Sequence, residues 1–209
     1  MKTIHTTNLI DAAAEFFAPL PDLAVWEWAE QNVFLPQTEA QVPGPYSTDL
    51  VPYVREPMEA VCRMPNVIDV TLMWAAQTTK TTMLNVTKLY DIANQPRNIL
   101  NVMPSIDLAR SFSETRWLPL VHACPPVADL IPSDRHAIKN LEQNFTNMLM
   151  TFVGSNSPAN LASRPVPRID QDETDKFKEA TTKEASADKL ADHRCKTFAN
   201  PSKNKTSTP

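Results

Sequence analysis

Two glycines in 209 residues, Gly44 and Gly154, constrain this chain more than any other feature. Average usage of roughly 7% would give about 15. Glycine normally fills backbone positions that need φ > 0 or a close approach to an anion. Two glycines so far apart exclude an intact Gly-x-Gly-x-x-Gly dinucleotide loop, a kinase glycine loop and a standard Gly-x-x-x-x-Gly-Lys phosphate loop. Any contact with phosphate has to be made without the usual backbone. Proline, by contrast, is plentiful at 19.

The remaining composition is ordinary for a globular chain, 42% hydrophobic and 21% charged, enough for one sizeable domain or two small ones. Lys plus Arg number 20 against 24 Asp plus Glu, a net charge of -4. The strong basic excess of a protein that coats duplex DNA is missing, although local basic patches are compatible with this balance. Cys62, Cys124 and Cys195 are odd in number, far apart and without a Cys-x-x-Cys pair. That points away from a disulfide framework or a zinc site and towards reduced thiols in a cytosolic protein. No apolar stretch has the length of a signal-peptide core or the roughly 20 residues of a membrane span, so a soluble protein is expected.

Strand-like runs alternate with helical ones. Residues 1–20 read as a leader, and Pro21-Asp22 opens a helix with Leu23, Trp26, Ala29 and Val33 near one face, ending before Pro36. Residues 36–52 read as a loop with Pro43-Gly44-Pro45 as its turn, and Pro52 to Arg63 as a second helix. The β-branched run Val67 to Trp74 predicts a buried strand, followed by a helix from Lys80 to about Ala93. Asn98 to Met103 predicts a second strand, and Ser105 caps a helix through Arg116. Residues 117–147 look irregular and broken by proline. Met148 to Val153 and Val166 to Gln171 predict two further strands, and Lys183 to Thr197 a surface helix. Such alternation implies an α/β fold, a mostly parallel sheet flanked by helices, with ligands at the carboxyl ends of its strands.

The chemistry concentrates at two places. Gln77-Thr78-Thr79-Lys80-Thr81 lies where a strand hands over to a helix. A helix N-terminus offers free N–H groups and partial positive charge to a phosphate; a Lys there reaches the terminal phosphates and the next hydroxyl can bind Mg²⁺. Lys80 precedes Asp172-Glu173 by 92 positions, and these acids follow a strand-like run. In a nucleoside triphosphatase such an Asp holds Mg²⁺ and such a Glu polarises the attacking water. His5, His122, His136 and His193 lack partners at ligand spacing, Trp26 and Trp28 read as helix packing, and Lys196, Lys203 and Lys205 read as a solvated terminus.

These motifs, with others in the same order, resemble the ATPase domain of the large terminase subunit of tailed phages, the lambda-type (GpA) family. The matching segments include Trp28-Ala29, Pro43-Gly44-Pro45-Tyr46, Pro52-Tyr53-Val54-Arg55-Glu56-Pro57-Met58 and Ala76-Gln77-x-x-Lys80-Thr81. They continue through Asn101-Val102-Met103-Pro104-Ser105, Ala109 with Ser113 and Arg116, and Trp117-Leu118-Pro119. The most specific run extends from Gly154-Ser155-Asn156-Ser157-Pro158 to Ser163-Arg164-Pro165-Val166 and leads into Asp172-Glu173-Thr174-Asp175. Leu190-Ala191-Asp192-His193-Arg194 and Thr206-Ser207-Thr208-Pro209 close the series, which covers about residues 20–209.

The resemblance implies a RecA-like P-loop motor domain that couples ATP hydrolysis to driving double-stranded DNA into a procapsid in the host cytoplasm. It implies ATP and Mg²⁺ as cofactors, and as partners phage DNA, a small terminase subunit and a portal on which the chain forms a ring. Gln77, Thr78, Thr79, Lys80 and Thr81 would hold the phosphates, Thr81 and Asp172 the metal, and Glu173 would be the catalytic carboxylate. Ser207 and Thr208 match the coupling motif, Arg164 is offered as an arginine finger, and Tyr46 or Tyr53 would stack on adenine. Within this resemblance residues 1–20 are a leader and 21–209 the ATPase domain, ending on the coupling motif. A nuclease domain is not expected in this chain, and no DNA cleavage by it.

The chain departs from the family loop at Trp74, Ala75 and Thr79, where the family has a basic residue and two glycines. A left-handed conformation forced on Thr79 costs roughly 1–3 kcal/mol, which weakens nucleotide binding by about tenfold to a hundredfold. Two other readings follow. One is a non-catalytic, truncated or decayed remnant with a degenerate phosphate loop; the other is a helicase-like ATPase, against which the Ser155 to Pro165 run speaks.

Overall fold

The computed structural model describes residues 23–40, 43–134, 136–156, 165–177, 189 and 193–209. Helix α1 (Val25–Asn32) is followed by two short strands, β1 (Phe34–Leu35) and β2 (Gly44–Pro45), paired antiparallel. A 3-10 turn (Pro52–Val54) leads into α2 (Arg55–Cys62), β3 (Asp69–Met73), α3 (Lys80–Asn94) and β4 (Ile99–Met103). Next comes α4 (Ile106–Phe112), whose N-cap Ser105 accepts the Leu108 N–H at 3.2 Å. A π-helical turn (Ser113–Trp117) continues it into α5 (Leu118–His122) and α6 (Pro125–Ala128). Strands β5 (Glu142–Asn144), β6 (Leu149–Gly154), β7 (Arg168–Gln171) and β8 (Ser202–Ser207) follow.

Six strands form one sheet in the order β3-β8-β7-β4-β6-β5. All neighbours run parallel except β5 with β6. Registers align Met73 with Ser207 and Gln171 with Lys205, so the carboxyl ends of β3, β8 and β7 share one edge. Every residue of β4 and β7 is buried, because both faces of the sheet are covered. On one face Trp28, Met58, Leu84, Leu120, Ile99 and Phe152 bring α1, α2, α3 and α5 onto β4 and β6. On the other, Leu100, Val102, Val153, Val166, Ile169 and Cys195 form a smaller cluster. The alternation of Ile99 with Leu100 between the two cores follows from the two-residue period of a strand.

α3 is enclosed: Met83 through Ile92 are all buried, including Lys88 and Asp91. Charges so placed must be paired. Arg168 of β7 is fully buried and clasps Asp170 through Nε at 3.0 Å and a terminal nitrogen at 2.8 Å. It also reaches Asp91 Oδ2 at 2.7 Å, Thr87 O at 3.2 Å and Thr87 Oγ1 at 2.9 Å. Lys88 lies 3.7 Å from Asp170 and donates to Asn101 Oδ1 at 2.5 Å. Burial alone would raise the Asp170 pKa, but Arg168, Lys88 and a hydrogen bond from Asn204 hold it below its ordinary value. Burial pulls the Lys88 ammonium pKa down, against the opposing charge of Asp170.

Several expectations are corrected. Lys203 and Lys205 are no solvated terminus: β8 lies between β3 and β7, with Ser202, Asn204 and Thr206 buried. Residues 117–147 hold two helices and an edge strand; Pro125 stands at a helix start, where a missing N–H costs nothing, and Pro119 is the second residue of α5, which directly follows the π-helical turn. Gly44 pairs with Leu35 as strand rather than turning the chain. α1 buries Val25, Trp28 and Ala29, while Trp26 lies under the Arg55 guanidinium at 4.2 Å. Most of the helix expected over 183–197 falls outside the described residues, as do the leader and Arg164. Cys62, Cys124 and Cys195 are buried and form no disulfide. Among the described residues no helix is long and apolar enough to cross a membrane.

The two glycines are unequal. A Cβ on Gly154 would lie 2.5 Å from Ile106 N and 2.8 Å from Ser105 C, so the end of β6 packs directly on the first turn of α4; a Cβ on Gly44 meets nothing within 4 Å. Gly154→Ala is expected to lower unfolding free energy by about 1–3 kcal/mol, since backbone must move. Gly44→Ala should stay within about 0.5 kcal/mol. Urea denaturation of both variants checks this, and equal effects would contradict the packing assignment.

Candidate active site

The loop between β3 and α3 makes its turns without glycine. Gln77 (φ 60°) and Thr79 (φ 65°, ψ 11°) are both left-handed. The strain expected at Thr79 is therefore present, and the second left-handed position is Gln77 rather than Ala75. Thr79 O accepts the Met83 N–H at 2.8 Å, leaving the first N–H groups of α3 facing outward from the helix end. Lys80 folds back over the loop: its Nζ donates to Trp74 O at 2.5 Å, Ala75 O at 3.1 Å and Thr208 Oγ1 at 3.3 Å. The ammonium thus sits where the loop curls, held by neutral carbonyls that an anion can displace.

The start of α3 meets the acids that follow β7 through one hydroxyl. Thr81 Oγ1 donates to Asp172 Oδ2 at 2.9 Å, and Thr206 Oγ1 of β8 donates to the other carboxylate oxygen. Thr206 Oγ1 in turn accepts the Glu173 N–H at 3.3 Å. Asp172 is 5% exposed, whereas Glu173, itself left-handed at φ 57°, pairs with Lys176 at 2.9 Å in a partly exposed position. Asp175 Oδ1 accepts the Thr208 N–H at 3.2 Å and the Ser207 hydroxyl at 3.5 Å. Sequence positions 80–81, 172–175 and 206–208 are thereby brought to one edge.

They line an open cleft of about 640 Å³, to which Lys80, Thr81, Asp172, Glu173, Lys176 and Arg116 contribute. Its donor set suits Mg²⁺. The Thr81 hydroxyl and Asp172 carboxylate are hard oxygen ligands, and no three His, Cys, Asp or Glu side chains form a closed cage among the described residues. An ion here would have to share its coordination with phosphate and water, as Mg²⁺ ordinarily does.

The two tyrosines separate. Tyr46 is 5% exposed, with its N–H on Val33 O at 2.9 Å and its hydroxyl on Met58 Sδ at 3.6 Å. Burial and the nearby Glu30 raise its pKa. It is a core residue, because pairing of β2 with β1 turns it inward, and an adenine cannot reach its faces. Tyr53 is half exposed, stands edge-on to Trp74 at 5.2 Å and donates to Thr78 O at 3.4 Å, beside the loop. Sequence reasoning assigned no role to Thr206, Lys176, Arg116 or Glu39. Thr206 stands next to the Ser207-Thr208 motif and Arg116 lies in a segment that matches the family; Lys176 and Glu39 carry no local signal.

Thr79→Gly should relieve more left-handed strain than it costs in chain entropy, a net gain of about 1 kcal/mol. A chemical denaturation midpoint reads this directly, and a loss of stability would contradict the strain assignment.

Residues 40–209 match the family model for the phage terminase large subunit gpA, ATPase domain. Over 197 residues the chain is 28% identical to the terminase large subunit of Escherichia phage lambda, covering 92% of this chain and 30% of that protein. The crystal structure of the HK97 bacteriophage large terminase superposes with a TM-score of 0.68 at 13% identity, over 90% of this chain and 38% of that one. The second likeness speaks for the fold, the RecA-like arrangement of parallel strands and flanking helices. This chain spans well under half the length of either relative. With the family model covering most of its length, the chain belongs to the ATPase-domain family of the gpA-type phage terminase large subunit.

Proposed function

We propose that this chain hydrolyses Mg-ATP in the cleft and passes the energy to double-stranded phage DNA moving into a procapsid. The observation that carries the reading is the junction of Thr81, Asp172 and Thr206, which joins the start of α3, the end of β7 and β8 around one carboxylate. The Asp172 carboxylate is nearly buried yet borders the open cleft.

Lys80 exchanges the carbonyls of Trp74 and Ala75 for phosphate oxygens, a better partner for an ammonium. The first N–H groups of α3 face the same anion. Thr81 and Asp172 would hold Mg²⁺, which neutralises charge as the terminal phosphoryl group is transferred. Glu173 turns from Lys176 to a water and orients it for in-line attack; an exposed ion pair is worth about 0–1 kcal/mol, so this movement is cheap. Tyr53 offers its ring to the base. Thr208, bonded both to Lys80 and to Asp175, feels the change at the phosphates, which is how the 207–208 segment would couple hydrolysis to movement. In this reading the chain works as one member of a ring on the portal, with a small terminase subunit choosing the DNA.

A second reading, a non-catalytic copy, is favoured by left-handed Gln77 and Thr79 where the loop would bind phosphate. Glu173→Gln separates the two. The unaltered protein should release phosphate from Mg-ATP, and the variant should bind nucleotide within about threefold while losing turnover by about 10²–10⁴-fold, the usual contribution of a general base. Binding without any turnover in the unaltered protein would select the non-catalytic copy.

A further inference from the structure

Arg116 shares the cleft with Lys80, Thr81, Asp172 and Glu173, yet nothing in the proposed mechanism uses it. It sits in the π-helical turn Ser113–Trp117. The following residue, Trp117, is fully buried with its indole N–H on Gln143 Oε1 at 2.8 Å, so the wide turn sends one side chain into the core and its neighbour to the cleft. The Arg116 Nε donates to Glu39 Oε2 at 3.0 Å, and its guanidinium lies 5.4 Å from the Phe112 ring centre. Glu39 has a fully buried side chain, and its other oxygen accepts from Asn85 Nδ2 of α3 at 3.2 Å.

A buried carboxylate is costly unless it holds something. Here it pins one edge of a guanidinium whose own side chain is 36% exposed. Among the described residues no hydrogen bond engages the two terminal nitrogens of Arg116, which leaves four N–H groups of the fork available. A guanidinium fixed along one edge and free along the other is arranged for two-point contact with an anion. The direction of approach selects the phosphate. Arg116 follows β4, which lies beyond β7 from β3 in the sheet. It therefore reaches the cleft from a segment that follows the neighbour of β7, the strand that runs into Asp172 and Glu173, and not from the loop that would hold the inner phosphates.

We infer that Arg116 contacts the terminal phosphate of a nucleoside triphosphate in this cleft and that Glu39, braced by Asn85, is its positioning residue. The inference rests on the proposed nucleotide function of the cleft. It makes the cleft a reader of triphosphate against diphosphate.

The test is equilibrium binding of Mg-ADP and of a non-hydrolysable ATP analogue to the unaltered protein, Arg116→Ala, Arg116→Lys and Glu39→Gln. The unaltered protein should prefer the analogue. Arg116→Ala should weaken the analogue by about 10- to 100-fold, the range for charge-assisted hydrogen bonds, and leave ADP unchanged. Arg116→Lys keeps the charge beside Glu39 but not the fork, so it should restore only part of the preference; it carries the test if the alanine variant does not fold. Glu39→Gln should narrow the preference without changing ADP. Variants that weaken both ligands equally, or neither, overturn the assignment while leaving the nucleotide site standing. Failure of the unaltered protein to bind either ligand overturns the assignment and the proposed function together.

Discussion

A guanidinium cannot be buried unless each of its N–H groups finds an acceptor, and Arg168 is buried with all of them engaged between α3 and β7. The partners Asp170 and Asp91 are themselves fully buried, and Lys88 adds a second cation at 3.7 Å from Asp170. Removing one member of such a cluster leaves an uncompensated charge, at about 3–5 kcal/mol. Apolar contacts alone would let α3 slide on the sheet with little change in buried area, whereas these directional bonds fix where it lies. α3 begins with Lys80 and Thr81, and β7 runs into Asp172. The 2.9 Å contact between Thr81 and Asp172 is therefore set by charges two to three turns away from it.

β8 extends the same logic towards the third motif. Its inward residues are small and polar because their neighbours on β7 are charged: Asn204 Nδ2 donates to Asp170 at 2.7 Å, and Thr206 to Asp172. A leucine at either position would strip a buried carboxylate of a donor. The strand thus runs as a polar seam from the Arg168 cluster to the cleft and leads into Thr208 beside Lys80. A shift in the acids has a short covalent and hydrogen-bonded path to the segment that follows β8.

The parts of this architecture that rest on apolar burial were legible in the sequence. The β-branched run before Lys80 and the runs ending at Met103, Val153 and Gln171 became β3, β4, β6 and β7 within a few residues of their expected bounds, but β3, expected to be buried, is an edge strand with only Leu72 buried. β8 was illegible because Ser-Lys-Asn-Lys-Thr-Ser alternates small polar with basic residues, a pattern that signals a strand only once the charges it faces are known. β5, of sequence Glu-Gln-Asn, is equally silent. Lys80, Thr81, Asp172 and Glu173 stand out in the sequence because they follow strand-like runs, and the structure brings them to one cleft. Tyr46 and Tyr53 could not be told apart in the sequence because two residues of pairing, β1 with β2, decide which way the Tyr46 ring points. Arg116 and Glu39 are 77 positions apart, and their pairing is a property of the fold alone.

The central claim is that the Lys80 end of α3 receives nucleotide phosphates despite a loop with no glycine. Calorimetric titration of Mg-ATP into the unaltered protein and into Lys80→Ala tests it most directly. The account predicts saturable binding by the former that is weakened about 10- to 100-fold in the variant, as expected when a charge-assisted contact to phosphate is lost. Binding of equal strength in both proteins would place the nucleotide elsewhere and contradict the account.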